Sequence, residues 1–195
     1  MNKPIGTLEP AATVRFTLDG CAIDAIEGET ILQAAKRVGI EIPHLCYKDG
    51  YRADGNCRAC VVEIKGERVL APACCRAPTA DMAVQSTSER ARHSQRMVLE
   101  LLKSDMPAGE RSPFTPRSEL DDWAEKLAVG PSRFPRRHQP PQDVSNPAIA
   151  VNLEACIQCT RCVRACREEQ VNDVIGFAMR GDHSKIVFDL DDAMG

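Results

Sequence analysis

Ten cysteines in 195 residues constrain this chain more than any other feature, because they fall in two tight groups. Cys21, Cys46, Cys57, Cys60, Cys74 and Cys75 form the first; Cys156, Cys159, Cys162 and Cys166 form the second, with none between. A secreted chain uses so many cysteines as disulfide staples, whereas an intracellular one uses them as metal ligands. Met1 to Glu9 lacks the apolar core of a signal peptide, and no apolar run reaches the roughly 18 residues of a membrane span. A cytoplasmic location is therefore expected. Spacing then selects metal, since the two cysteines of a C-x-x-C turn point at a common centre. The remainder is an ordinary globular composition, 43% hydrophobic and 27% charged. A net charge of −3 argues against nucleic acid as the main partner.

Residues 12–86 read as a small α+β unit. Val14 to Leu18 alternates as a half-buried strand, Asp19-Gly20 is a hairpin turn, and Cys21 to Ile26 returns. Thr30 is placed to cap a short helix bearing Ile31, Leu32, Ala35 and Val38, stopped by Gly39. Val61 to Ile64 and Arg68 to Ala71 are expected to pair, and a last strand is expected near Met82 to Val84. This is the strand and helix order of a β-grasp. Residues 87–147 form a connector: a helix over 86–104 capped by Ser88, then a Pro-rich stretch that includes Pro113, Pro116, Pro140 and Pro141. One helical patch interrupts it, Ser118 to Val129, with Leu120, Trp123 and Leu127 on one face. That stretch is expected to link two units or wrap on a surface rather than build a core. Residues 148–195 form the second cysteine unit.

In the first group, Cys46-x10-Cys57-x2-Cys60-x13-Cys74 contains one C-x-x-C and two single cysteines at long, unequal distances. Zinc ribbons usually pair two C-x-x-C knuckles, so this spacing suits a [2Fe–2S] cluster wrapped by one loop and completed from a strand end. Gly55 and Asn56 tolerate positive φ, which lets backbone N–H groups turn toward the sulfurs. Cys74 and Cys75 point to opposite sides of an extended chain, so only one of them can be the fourth ligand. Cys21 reads as a buried small hydrophobe on its strand. In the second group, Cys156-x2-Cys159-x2-Cys162-x3-Cys166 is the bacterial-ferredoxin run for a [4Fe–4S] cluster, whose fourth cysteine ligates the other cluster in two-cluster domains.

These motifs resemble a known superfamily. Cys46-Tyr47, Gly55-Asn56-Cys57-Arg58-Ala59-Cys60-Val61-Val62-Glu63 and Pro72-Ala73-Cys74 are similar to the N-terminal [2Fe–2S] domain of the complex I large iron–sulfur subunit. The same domain opens [FeFe]-hydrogenases and the α subunit of NAD-dependent molybdenum formate dehydrogenases. Pro78, four residues after Cys74, is similar to the formate dehydrogenase branch and so selects Cys74; the complex I spacing would select Cys75. Asn152 to Arg167, with Val171 to Phe177 and Ile186 to Asp189, resembles the first half of the two-cluster ferredoxin domain of these subunits. A second cysteine run follows in that family but not before Gly195, which implies the N-terminal piece of a longer polypeptide. As the chain stands, the [4Fe–4S] site either recruits Cys166 by local rearrangement or is incomplete.

The resemblance implies an iron–sulfur electron relay of a formate dehydrogenase, between a molybdenum site and a flavin subunit that reduces NAD⁺. Its implied partners are that flavin/NAD-binding subunit and the molybdopterin-containing catalytic part. The alternatives are a diaphorase subunit of an NAD-reducing hydrogenase, a complex I-like subunit, or a structural zinc or assembly module. No catalytic centre is expected in the chain, which has no Walker loop, no G-x-G-x-x-G and no nucleophile elbow. The additional [4Fe–4S] site of complex I-like subunits, held by one histidine and three cysteines, has no cysteines here to form it. His44 could hydrogen-bond near the first cluster or serve structurally beside Pro43. His93 reads as solvated or capping, and His138 and His183 carry no partner pattern. Arg161, Arg164 and Arg167, with Arg58, read either as a solvated basic face or as cations that offset cluster charge and dock an acidic partner.

Overall fold

In a computed structural model, residues 12–107, 117–188 and 192 are described. Met1 to Glu9, Pro113, Pro116 and Asp189, on which some of the sequence expectations rest, lie outside them. The first unit is a five-stranded sheet with one helix laid across it. β1 (Thr13–Leu18) and β2 (Cys21–Ile26) form the expected hairpin, in register from Thr13 opposite Ile26 to Leu18 opposite Cys21. β3 (Val61–Ile64) and β4 (Ala71–Pro72) pair antiparallel, and β5 (Ala83–Gln85) enters between β1 and β3 to give the order β2-β1-β5-β3-β4. β5 runs parallel to β1 and antiparallel to β3, so the sheet is mixed.

α1 (Ile31–Arg37) begins at Thr30 with a reciprocal capping box to Gln33 and buries Ile31, Leu32, Ala34 and Ala35. Those side chains meet Phe16, Leu18, Ile23, Val62 and Val84 from the sheet in one core. Two expectations shift. The strand expected over Arg68 to Ala71 is confined to Ala71–Pro72, where Pro72 has no N–H to extend the ladder. Cys21 is exposed rather than buried. It shares a strand face with the buried Ile23 and Ala25, but it sits at the hairpin end, beyond the reach of the core.

α2 (Glu89–Lys103), capped by Ser88, and α3 (Glu119–Lys126), capped by Ser118, pack together. Leu99, Leu120 and Leu127 bury against Leu45 and Ala59, with Trp123 and Ile157 alongside. The connector is therefore not a bare strap: α3 builds a second small core over the cysteine loop. Its apolar residues recur at helical spacing, which gives it a face to bury. In the last unit, α4 (Arg161–Arg164) continues into a wider π-type turn, Ala165–Glu169. β6 (Ile175–Ala178) and β7 (Lys185–Phe188) form a hairpin over it, with Val163, Ile186 and Phe188 buried together. Among the described residues no helix is long and apolar enough to cross a membrane.

Candidate iron–sulfur centres

The loop between α1 and β3 carries Cys46, Cys57 and Cys60, and β4 delivers Cys74 to the same place. Cys60 and Cys74 belong to the sheet core, while Cys57 packs against the helical core, so the thiols lie on the seam between the two. Cys46, Cys60 and Cys74 are buried. The thiols act on one another pairwise along a chain, Cys57 with Cys46, Cys46 with Cys74 and Cys74 with Cys60. Hydrogen bonding from Cys57 and Cys74 holds the Cys46 thiol down at about 2. The same bonds push Cys57 and Cys74 up, and Cys60 is lowered by Cys74.

Backbone N–H groups supplement these pairs. Cys46 N–H donates to Cys57 Sγ at 3.4 Å, and the amides of Asn56 and Cys57 serve Cys46 in return. The turn that permits this uses positive φ at Gly55 (+63°) and Arg58 (+59°), not at Asn56. Asn56 instead spends its side chain on the other cysteine unit, at Thr160. Cys75 is exposed, and its sulfur lies 3.5 Å from that of Cys74. His44 takes the structural course: its Nδ1 is 2.8 Å from Ile42 O, and its ring packs at 5.9 Å from both Tyr47 and Trp123.

In the second unit the chain coils through Cys156, Cys159 and Cys162 with left-handed residues at Gln158 (φ +54°) and Thr160 (φ +59°). Burial is the main force raising the Cys156 and Cys162 thiols, and the charge of Cys159 acts on both in the same direction. These three are electrostatic neighbours. Cys166 is buried in the π-type turn, where its Sγ donates to Asn172 O. Two residues that sequence reasoning missed support this loop from the connector. Gln139 Nε2 donates to Cys156 O at 2.9 Å, and Arg137 Nη1 donates to Ser184 O at 2.9 Å while its charge lowers Cys156. They lie in a polar, Pro-rich stretch with no motif to mark them.

Of the four arginines singled out from sequence, Arg167 is solvent-exposed and pairs with Asp173. Arg161 and Arg164 are not a free solvated face, because both are engaged by groups of this same chain. Arg161 pairs with Glu119 and donates to Tyr47 O at 2.9 Å. Arg164 is buried, 3% exposed. His93, His138 and His183 are exposed.

Residues 11–89 match the family model described as a 2Fe-2S iron–sulfur cluster binding domain. Residues 146–194 match the NADH-quinone oxidoreductase subunit 3, ferredoxin-like domain. A solved chain of an NAD⁺-reducing [NiFe]-hydrogenase in the H2-reduced state superposes with a TM-score of 0.80 at 30% identity, over 94% of this chain and 80% of that one. The chain belongs to the iron–sulfur electron-transfer subunits of the NADH-quinone oxidoreductase and NAD-reducing hydrogenase family. Within this family, an NADH-quinone oxidoreductase subunit of Rhizobium meliloti is 35% identical over 161 residues, which is 80% of this chain and 19% of that protein. The NADP-reducing hydrogenase subunit HndD of Solidesulfovibrio fructosivorans is 36% identical over 181 residues, 85% of this chain and 30% of that protein. The chain thus spans less than a third of these two relatives' length.

The first domain of this iron–sulfur subunit carries a [2Fe–2S] cluster and the second a [4Fe–4S] cluster. The donor chemistry fits both. Four mutually interacting thiols backed by inward amides suit a cluster of two irons, and three thiols on one coil suit three irons of a larger one.

Proposed function

We propose that Cys46, Cys57, Cys60 and Cys74 ligate the [2Fe–2S] cluster, and that Cys156, Cys159 and Cys162 hold the [4Fe–4S] cluster. Cys166, the fourth cysteine of the run, serves as a ligand outside that trio, in keeping with its turn toward Asn172. The single observation that carries this reading is that the thiols of Cys46, Cys57 and Cys60, from the loop between α1 and β3, and of Cys74, from the end of β4, act on one another. The clusters supply one-electron chemistry; the protein supplies placement and electrostatic tuning. Amides aimed at sulfur favour the more negative reduced state, which raises the potential.

The relay works between two partner centres in a cytoplasmic enzyme, one of them a flavin site that exchanges hydride with NAD. The spacing of Pro78 and the sequence around Val171 to Phe177 support formate dehydrogenase as the host, with a molybdopterin-containing part as electron source. The names of the relatives support a second reading, in which the host oxidises hydrogen or NADH. Metal analysis with acid-labile sulfide, followed by EPR of the reduced protein, tests the cluster assignment. Stoichiometric zinc in a colourless protein would overturn it in favour of a structural module. Adding formate, hydrogen or NADH to the purified complex and recording which one reduces the clusters then decides the host.

A further inference from the structure

We propose that Arg164 is a positioning residue that fastens the two cluster loops together and sets the potentials of both clusters through its buried charge; the proposal rests on the relay reading above. Burying a guanidinium costs several kcal/mol unless its donors and its charge are met, so a buried arginine that is retained is answered from nearby. The groups that answer it come from both loops. Arg164 Nη2 donates to Cys46 O, with Cys159 O at 3.5 Å, and Nη1 donates to Arg52 O at 2.6 Å. One fork thus touches the main chain of a cysteine from each group.

Carbonyls satisfy donors but do not neutralise a cation. Neutralisation falls to Asp54, whose Oδ2 lies 3.1 Å from Arg164 Nε without the N–H aimed at it as a hydrogen bond. Asp54 is also 3.2 Å from Arg52, but Arg52 is 71% exposed and so is screened by water. Around this pair the same two loops are stitched again. The Thr160 hydroxyl lies 3.0 Å from Asp54 Oδ2, and Asn56 Nδ2 donates to Thr160 Oγ1 at 3.2 Å. Arg164 and Asp54 therefore place one positive and one negative charge, poorly screened, between sites whose occupants gain negative charge on reduction. A cation there favours the reduced state and an anion opposes it.

The experiment compares wild type, R164Q, R164K and D54N as intact protein, each measured for iron, acid-labile sulfide and both cluster potentials by EPR-monitored redox titration. R164Q removes the buried cation, leaving Asp54 only the solvent-exposed Arg52, and is expected to shift both potentials negative. D54N leaves Arg164 unopposed and is expected to shift both positive. R164K is expected to return toward wild type. A purely mechanical latch would move R164Q and D54N the same way or not at all, and that result overturns the proposal. D54N decides alone if R164Q fails to fold: a positive shift supports the proposal, and no shift or a negative one overturns it. Wild type without iron and sulfide would instead overturn the relay reading.

Discussion

Cys74 and Cys75 are chemically identical neighbours in the turn after β4, which keeps their sulfurs 3.5 Å apart rather than on opposite sides of an extended chain, yet they differ in burial. Cys74 is fully buried and its thiol interacts with those of Cys46 and Cys60, whereas Cys75 is exposed. C74S is therefore expected to lose the EPR signal of the reduced [2Fe–2S] cluster, and C75S to keep it. Gly55 carries the turn at φ +63°, and a Cβ there would lie 2.8 Å from Cys75 Sγ. That sulfur ends a short side chain and can shift, so the backbone conformation dominates, at about 1–2 kcal/mol for a residue with Cβ. G55A should lower the stability to urea by that amount, and C75A should not restore it. Tyr47 is governed by burial, which pushes its phenol up to about 12, with its bond to Asp49 acting next. Because the folded value lies above the ordinary phenol value of 10.0, this stabilisation is complete below pH 10 and fades as pH rises toward 12. Unfolding midpoints of wild type and Y47F should accordingly converge across that window.

Among the elements, α2 shows where hydrophobic pattern and tertiary role part company. Its second half carries Met97, Leu99, Leu101 and Leu102, yet its buried residues are Ala91, Gln95 and Leu99, and Leu101 is 52% exposed. Gln95 is wholly enclosed, donating from Nε2 to Val61 O at 2.9 Å and to Ser86 O at 3.1 Å. It ties α2 to both β3 and the segment after β5. No periodicity argument selects a glutamine for a core position, because its value lies in two carbonyls that only the folded sheet presents. Q95A leaves both carbonyls without their donor and should cost about 2–4 kcal/mol in chemical denaturation. By contrast, Thr30 and Ser88 were legible as caps, since a cap acts on amides within three residues of itself.

For the molecule as a whole, the two cysteine units differ in how much holds them without metal. The first has a core running from Phe16 to Val84, whereas the buried apolar cluster of the second, among the described residues, is Val163, Ile186 and Phe188. A core that small contributes little against chain entropy, so metal binding and docking on the first unit carry its stability. Removing iron and sulfide should therefore speed hydrogen exchange of β6 and β7 amides far more than of β1 and β2. Equal protection in both states would refute this. Docking is polar, through Arg161, Arg164, Asn56 and Thr160, with Ile157 packed on the helical core.

The thiol groups, their spacing, the β1–β2 hairpin and the capped helices were set by local sequence, because each depends on residues a few positions apart. The burial of Cys74 and that of Gln95 depend on which distant backbone arrives beside each of them. So does the inward use of Arg164: a cation at the end of a short helix reads as solvated until another loop supplies Asp54 and the carbonyl of Cys46. Covalent neighbours dictate the ligands on offer, and packing decides which of them face one another.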